Sequence, residues 1–267
     1  MNNRSPCGLL LIDGDTLVYR YGLMKRKSVD FEECAPVSPF EAAKLAISQK
    51  LQFLLEDTGV PDFRIALAPA GVKCFRYGFY PQYKAHRGVP PDIIRPLRQW
   101  LRTEYHEKLL HYPGTTPVET DDIIGYFHKD NGSTCVVSND KDFLTLPGWN
   151  YHPFTGNLIW VTHTMAHVCL WYQVLVGDSA DGFPGCQGIG PEKALEILTT
   201  ALEHCYDCNI RDVVLFTYLS QGQTLDDFLT NWCLAMINGC CETPESIKEW
   251  ADVTLPTDYE KLLKEIL

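Results

Sequence analysis

The sequence predicts an α/β protein: a central, mostly parallel sheet flanked by helices, followed from about residue 164 by a mainly helical region. Three observations carry this reading. Short apolar runs alternate with capped helical segments through the first two-thirds of the chain, the pattern of a parallel sheet covered by helices. The first run, Gly8–Ile12, is continuous rather than alternating, as a strand buried on both faces requires. Beyond Thr164 the pattern turns helical, broken by a glycine-rich turn at Gly185–Gly190.

The elements follow in order. After the Gly8–Ile12 strand, Ser38-Pro39-Phe40-Glu41 forms a capping box with Pro at the first helical position, opening a helix to about Asp57. Arg64–Leu67, Leu109–Tyr112 and Thr134–Val137 read as further strands, and Glu119–Lys129 and Asp140–Leu146 as helices following two of them. Tyr151–Val161 reads as a hairpin turning at Thr155-Gly156-Asn157. Two regions are expected, 1–163 and 164–267.

The 267 residues carry 23 Lys+Arg against 34 Asp+Glu, a net charge of −11, with 45% hydrophobic and 21% charged residues. That is a globular composition, not a disordered or fibrous one. No apolar run approaches the ~20 residues that span a bilayer, and the apolar stretch before Asp13 is too short for a signal-peptide core. The eleven cysteines are expected to be reduced thiols of a cytoplasmic protein. Cys205 and Cys208 have zinc-ligand spacing, with Cys233, Cys240 and Cys241 as possible partners, or they are plain core thiols.

Taken alone, the acidic total argues against a nucleic-acid binder working by bulk positive charge. The charges are segregated, however. Residues 73–108 carry eight basic and three acidic residues, whereas 109–267 carry seven basic and 22 acidic ones. The local distribution is the informative quantity.

The acidic residues also sit in telling places. Asp13 follows the first strand; Glu119, Asp121 and Asp122 open a helix after the Leu109–Tyr112 run; Asp140 and Asp142 follow Thr134–Val137; Asp178 and Asp181 precede the glycine turn. In open parallel sheets, ligands bind outside the carboxyl ends of the strands. Singly, each acid is equally a helix cap or a first-turn residue. Together, four segments bring paired carboxylates to one rim, where they repel unless a cation neutralises them. Oxygen ligands select Mg²⁺ or Mn²⁺, and two such ions form the arrangement that splits phosphodiesters. Asp15 reads instead as a cap on the following helix.

Five segments resemble, in order, the flap endonuclease and 5′→3′ exonuclease superfamily, as found in phage exonucleases and the 5′-nuclease domain of bacterial DNA polymerase I. They are Leu10-Leu11-Ile12-Asp13-Gly14; Phe75-Arg76 with Tyr80-Pro81-Gln82-Tyr83-Lys84-Ala85-His86-Arg87; Glu119-Thr120-Asp121-Asp122; Ser138-Asn139-Asp140-Lys141-Asp142-Phe143-Leu144; and Val176–Gly190. The resemblance implies a fold like that of PIN and 5′-nuclease domains, with a basic helical arch at about 73–108 and a helix–three-turn–helix element at about 177–203. It implies hydrolysis of DNA phosphodiesters by two or more Mg²⁺ or Mn²⁺ ions held by Asp13, Glu119, Asp121, Asp122, Asp140, Asp142, Asp178 and Asp181. Lys84 and Arg87 would contact the reacting phosphate and its neighbour, Tyr83 would stack on the terminal base, and Arg76 would anchor a phosphate or the structure.

Arg95, Arg98 and Arg102 form a basic stripe at helical spacing, either the arch's DNA-facing side or a solvated face. Gly188, Gly190 and Lys193 would grip the duplex backbone through amides and charge, with K⁺ a further ligand there. The expected partner is DNA with a 5′ end or flap, or an RNA–DNA hybrid, met by a monomeric enzyme of viral type in the host cytoplasm. A PIN-type ribonuclease and a non-catalytic DNA-structure binder are the alternatives. One departure stands out: the family's acid before the Phe-Arg pair is missing, and no acid occurs from Arg64 to Asp92. Removing the eight proposed metal ligands from the total leaves a charge of only −3.

Overall fold

The structure, a computed structural model, describes residues 7–24, 38–69, 71–204 and 210–237. A five-stranded sheet has the order β2-β1-β3-β4-β5, formed by β1 (Leu9–Asp13), β2 (Phe63–Ala66), β3 (Thr134–Val137), β4 (Gly148–Tyr151) and β5 (Leu158–Val161). The first four pair in parallel and β5 runs antiparallel to β4. Leu10, Leu11 and Ile12 of the central strand are fully buried, as the unbroken apolar run requires.

Helices α1 (Gly14–Gly22) and α2 (Pro39–Thr58) cover the β1–β2 side. Asp13 caps α1, and Ser38 caps α2 ahead of Pro39. Ala43, Ile47, Leu51 and Leu54 place the buried stripe of α2 against the sheet. The turn from β1 into α1 is tight: a Cβ on Gly14 would lie 2.7 Å from the Ala66 carbonyl oxygen. Only glycine allows Asp13 to sit where strand becomes helix.

Three expectations change. Leu109–Tyr112 is not a strand; Leu109 makes a single parallel bridge to Ile65, with the Leu110 amide donating to the Ile65 carbonyl. Pro113 and Gly114 then break the ladder. Residues 141–145 form a 3₁₀ turn rather than an α-helix. The basic segment forms no free-standing arch either. It contains a short helix, α3 (Arg76–Phe79), a turn, and α4 (Ile94–Glu104), whose Ile94, Leu97 and Leu101 are buried in the core with Leu17 and Val18 of α1. That apolar stripe holds α4 on the body.

Past α5 (Thr120–Phe127) and the β4–β5 hairpin come α6 (His163–Val176), α7 (Pro191–His204), α8 (Ile210–Ser220) and α9 (Leu225–Ala235). Trp171, Val174, Phe228 and Trp232 centre a second apolar cluster. Helix α9 also reaches the first body: Cys233 and the following Ile237 pack with Leu11, Phe75, Val118 and Ile123. Contacts thus cross the boundary expected at residue 163.

Candidate active site

Because β1, β2 and β3 run parallel, their carboxyl ends share one edge. A cleft of about 920 Å³ opens there, lined by Asp13, Asp15, Glu119, Asp121, Asp140, Asp142 and Asp181, among others. Six of the eight carboxylates singled out from sequence therefore line one cavity.

Short hydrogen bonds fix these groups. Asp13 Oδ1 accepts from the Thr16 amide at 3.0 Å, and Oδ2 accepts from Thr16 Oγ1 at 2.6 Å and Ser138 Oγ at 2.9 Å. Asp140 Oδ1 accepts from the Asp142 amide at 3.0 Å. Gln173, buried on α6, donates to Asp142 Oδ1 at 3.0 Å. Burial and neighbouring carboxylates act together on the acidities. Burial, then Asp15, raises Asp13; burial with Asp13, Glu119 and Asp140 lifts Asp121 well above the usual carboxylate range. Asp140 is likewise raised, chiefly by burial, and Asp142 is pushed up to about 7 by burial and by Asp140, Asp181 and Asp178.

Cations hold the opposite lip. The Lys84 ammonium lies 2.6 Å from Glu119 Oε1 and 3.5 Å from Asp181. Its backbone has φ 52°, the left-handed region, while its amide donates to the Asp181 carbonyl at 2.8 Å. Arg87 donates to Asp181 Oδ1 at 2.6 Å and to the Ala180 carbonyl. Burial alone would raise Glu119, but Arg76 and Lys84 outweigh it and hold that carboxyl below its ordinary value. Asp178 is lowered in the same way: the Lys141 ammonium at 2.9 Å and the Ala180 and Asp181 amides overcome burial.

Several side chains lie elsewhere than the sequence suggested. Asp122 does not line the cleft; it is fully buried, taking Nη1 and Nη2 of Arg76 at 2.7 and 2.8 Å. Asp178 is also set back, tied to Lys141. Arg76 is only 3% exposed and has no face for a phosphate. Tyr83 is 1% exposed, with its hydroxyl 2.7 Å from both Glu119 and Asp181. It supports those carboxylates and offers no ring to a base.

Arg98 and Arg102 turn inward from the predicted stripe. Both donate to the Ala68 carbonyl, and Arg98 also pairs with Asp15. Arg95 alone of the three is exposed. Asp15 is not the α1 cap, a role Asp13 takes; it accepts from Thr120 Oγ1 at 2.6 Å beside Arg98. On the β2 side, where no acid exists, the chain presents backbone carbonyls capped by arginines. Gly188 (φ 73°), Gly190 and Lys193 lie at the turn into α7 with Lys193 exposed, and none of the three lines the cleft. Cys233 is buried, whereas Cys205, Cys208, Cys240 and Cys241 fall outside the described residues.

Sequence reasoning missed Thr16, Ser138 and Gln173, the hydrogen-bond donors behind Asp13 and Asp142. It also missed Tyr19, which lines the cleft at 38% exposure. Thr16, three residues after Asp13, carried a capping signal; Gln173 carried none.

Among the described residues, no three His, Cys, Asp or Glu side chains converge on one point as ligands of a single ion. The donor set nonetheless suits a hard cation. It is all oxygen, its members raise one another's pKa values, and Mg²⁺ keeps several waters while using one or two carboxylates directly.

The family model described as 5′-3′ exonuclease, N-terminal resolvase-like domain, matches residues 8–164. The DNA polymerase I of Rhizobium leguminosarum is 30% identical over 156 residues, covering 53% of this chain and 15% of that protein. The 5′-3′ exonuclease of Bacillus subtilis is 25% identical over 216 residues, covering 74% of this chain and 71% of the relative. This chain therefore spans only a small part of the polymerase relatives, but most of the Bacillus protein. Among solved structures, the bacteriophage T5 D15 protein co-crystallised with metal ions has a TM-score of 0.58 at 15% identity, covering 97% of each chain. The D15 flap endonuclease in a complex with DNA and metal ions gives 0.54 at 15% identity over the same shares. These two likenesses concern the fold. On the family match across most of the α/β body, with acids at the strand ends, the chain belongs to the 5′-3′ exonuclease family, N-terminal resolvase-like domain.

Proposed function

We propose that this chain is a divalent-metal-dependent 5′ nuclease that hydrolyses DNA phosphodiesters as a 5′→3′ exonuclease or flap endonuclease. The observation that carries the reading is the strand-end cleft lined by seven carboxylates, with Lys84 and Arg87 beside them. Asp13, Asp121, Asp140 and Asp142 would hold the ions, with Glu119 and Asp181 on the Lys84 side. When bound, Mg²⁺ or Mn²⁺ supplies a water nucleophilic at neutral pH and Lewis-acid stabilisation of the leaving oxygen.

The chain's own groups do the rest. Thr16 and Ser138 orient Asp13, as outer partners orient metal ligands generally. Lys84 and Arg87 would exchange carboxylate partners for the oxygens of the phosphodiester, placing positive charge where negative charge develops. Tyr19, exposed in the cleft, takes the stacking role that Tyr83 cannot, since stacking on an aromatic face is sequence-tolerant. The open turn at Gly188 and Gly190, with Lys193, would grip a duplex backbone and hold K⁺, and Arg95 would add a phosphate contact. The proposed substrate is DNA with a 5′ end or flap, or an RNA–DNA hybrid, and the proposed state of the enzyme is a monomer. The cytoplasm remains the proposed location; no described helix is long and apolar enough to cross a membrane.

The direct test is incubation with Mg²⁺ or Mn²⁺ and 5′-labelled single-stranded, duplex and flap DNA. The expected products carry 5′-phosphate and 3′-hydroxyl ends. Binding with no cleavage in either metal defeats the reading, and cleavage of RNA alone replaces it with a ribonuclease.

The acidities add a prediction for the metal-free protein. Asp13, Asp121, Asp140 and Asp142 have folded-state pKa values raised above their unfolded values. Their protonation favours the fold, so that contribution is complete below about pH 4 and is lost as pH rises through the raised values, which for Asp142 means about 7. Glu119 and Asp178 are lowered; their stabilisation fails only under acid. The melting temperature without metal should therefore fall between pH 5.5 and 8 by roughly 3–6 °C, and Mg²⁺ should reverse the fall. A melting temperature flat in pH and indifferent to Mg²⁺ contradicts the crowded-acid site.

A further inference from the structure

Helix α9 lies outside the residues that the family model matches, yet it touches both halves of the proposed machine. On one side, Asn231 Oδ1 accepts from the Gly185 amide at 2.9 Å, while its Nδ2 donates to the Asp227 carbonyl at 2.8 Å. Asn231 is 3% exposed, so this bond is sheltered from water. Gly185 (φ 70°) stands back to back with Gly177 (φ 75°): a Cβ on Gly185 would meet the Gly177 nitrogen at 2.3 Å. The glycine turn is thus pinned against the end of α6; its Phe183, Cys186 and Ile189 share an apolar cluster with α9, and the Gly185–Asn231 hydrogen bond fixes its register there.

Three and five residues further on, the chain meets Arg76, which stands behind the cleft lining. The Leu234 and Met236 carbonyls accept from Arg76 Nε at 3.2 Å and Nη2 at 2.8 Å. The other Arg76 bonds go to Asp122 and, at 3.2 Å, to Glu119 Oε2 in the cleft lining. Five bonds leave the guanidinium, matching its five N–H donors. An unbroken path of buried and part-buried hydrogen bonds therefore runs Gly185–Asn231–α9–Arg76–Glu119, about a helical turn long along α9.

We propose that α9 is a brace that fixes the span between the glycine turn and the carboxylate cleft, and that Asn231 is a positioning residue that sets which phosphodiester is cut. The inference rests on the nuclease reading with duplex held at the glycine turn. If one end of a duplex is gripped there and the bond is broken at the cleft, the rigidity of the link decides the register of cleavage. Loss of the Asn231–Gly185 bond leaves both sites intact but lets one slide relative to the other.

The test is the product-length distribution from 3′-labelled flap DNA with Mg²⁺, for the wild type, Asn231→Leu and Asn231→Asp. Asn231→Leu has similar bulk and no acceptor; Asn231→Asp keeps the acceptor for the Gly185 amide and, protonated in that buried place, a donor for the Asp227 carbonyl. The wild type is expected to yield one dominant product. Asn231→Leu should spread the cuts over neighbouring bonds, with at least a third of the product displaced, total rate within threefold and duplex affinity within twofold. Asn231→Asp should restore the single product. If thermal melting shows that Asn231→Leu does not fold, Asn231→Ser, too short to reach the Gly185 amide, carries the same expectation. An unchanged distribution in a folded Leu or Ser variant overturns the brace while leaving the nuclease reading standing. No cleavage by the wild type overturns the nuclease reading and, with it, this inference.

Discussion

Asp140→Asn should lower cleavage at least 1,000-fold, about 4 kcal/mol of transition-state stabilisation, while making the metal-free protein more stable. The two effects have one origin. Asp140 lies just past the end of β3, its pKa raised by burial and by Asp13 and Asp181. Without metal, its carboxylate is a destabilised anion; as a ligand it would supply a charge that a neutral amide lacks. Asparagine keeps the Oδ1 that accepts from the Asp142 amide, so the 3₁₀ turn survives. DNA affinity should stay within threefold, because the proposed DNA contacts lie on Lys84, Arg87 and the glycine turn. Cleavage time courses, fluorescence anisotropy and a melt without metal check the three parts. A native cleavage rate removes Asp140 from the metal set, and a fall in melting temperature removes the repulsion argument.

The sequence exposed much of this site because its logic is local. A buried strand followed at once by an acid is visible in Leu10-Leu11-Ile12-Asp13, and parallel strands leave little choice about where such acids meet. What stayed hidden depends on contacts distant in sequence. Asp122 sits next to Asp121 in the chain, yet the helix turns it onto Arg76, and no spacing rule separates the ligand from the structural acid. Tyr83 looked like a stacking ring because it adjoins Lys84, but its burial depends on α6 and the Asp178–Phe183 turn. The arch failed for a different reason. Arg95, Arg98 and Arg102 define a basic stripe, but Ile94, Leu97 and Leu101 define an equally regular apolar one, and burying that stripe outweighs projecting the other. The absence of an acid before Phe75 coincides with two arginines on the Ala68 carbonyl, an arrangement no single segment discloses.

Arg76→Met should produce the largest loss of stability, about 3–5 kcal/mol. Asp122, with no exposed surface, would lose two charge-assisted bonds in a place water does not reach. The Leu234 and Met236 carbonyls would lose their donor as well, at about 1–3 kcal/mol for each group left unsatisfied. Arg76→Lys should recover little, because one ammonium has three donors and no fork to match a carboxylate edge. A second substitution separates the buried charge from packing. Asp122→Asn keeps an acceptor for the Glu119 amide, which Asp122 Oδ2 now caps at 2.9 Å, while removing the uncompensated anion. The double variant should therefore be more stable than Arg76→Met alone, a coupling that a double-mutant cycle in urea reads directly. If Arg76→Met unfolds within 1 kcal/mol of the wild type, or if the cycle shows no coupling, the pair is not what joins α3, α5 and α9. With coupling present, the resemblance segment at Phe75-Arg76 gains a physical meaning: this arginine holds Glu119 and α9 in one rigid unit, and the proposed DNA-facing charge is that of Lys84 and Arg87, eight and eleven residues further along the chain.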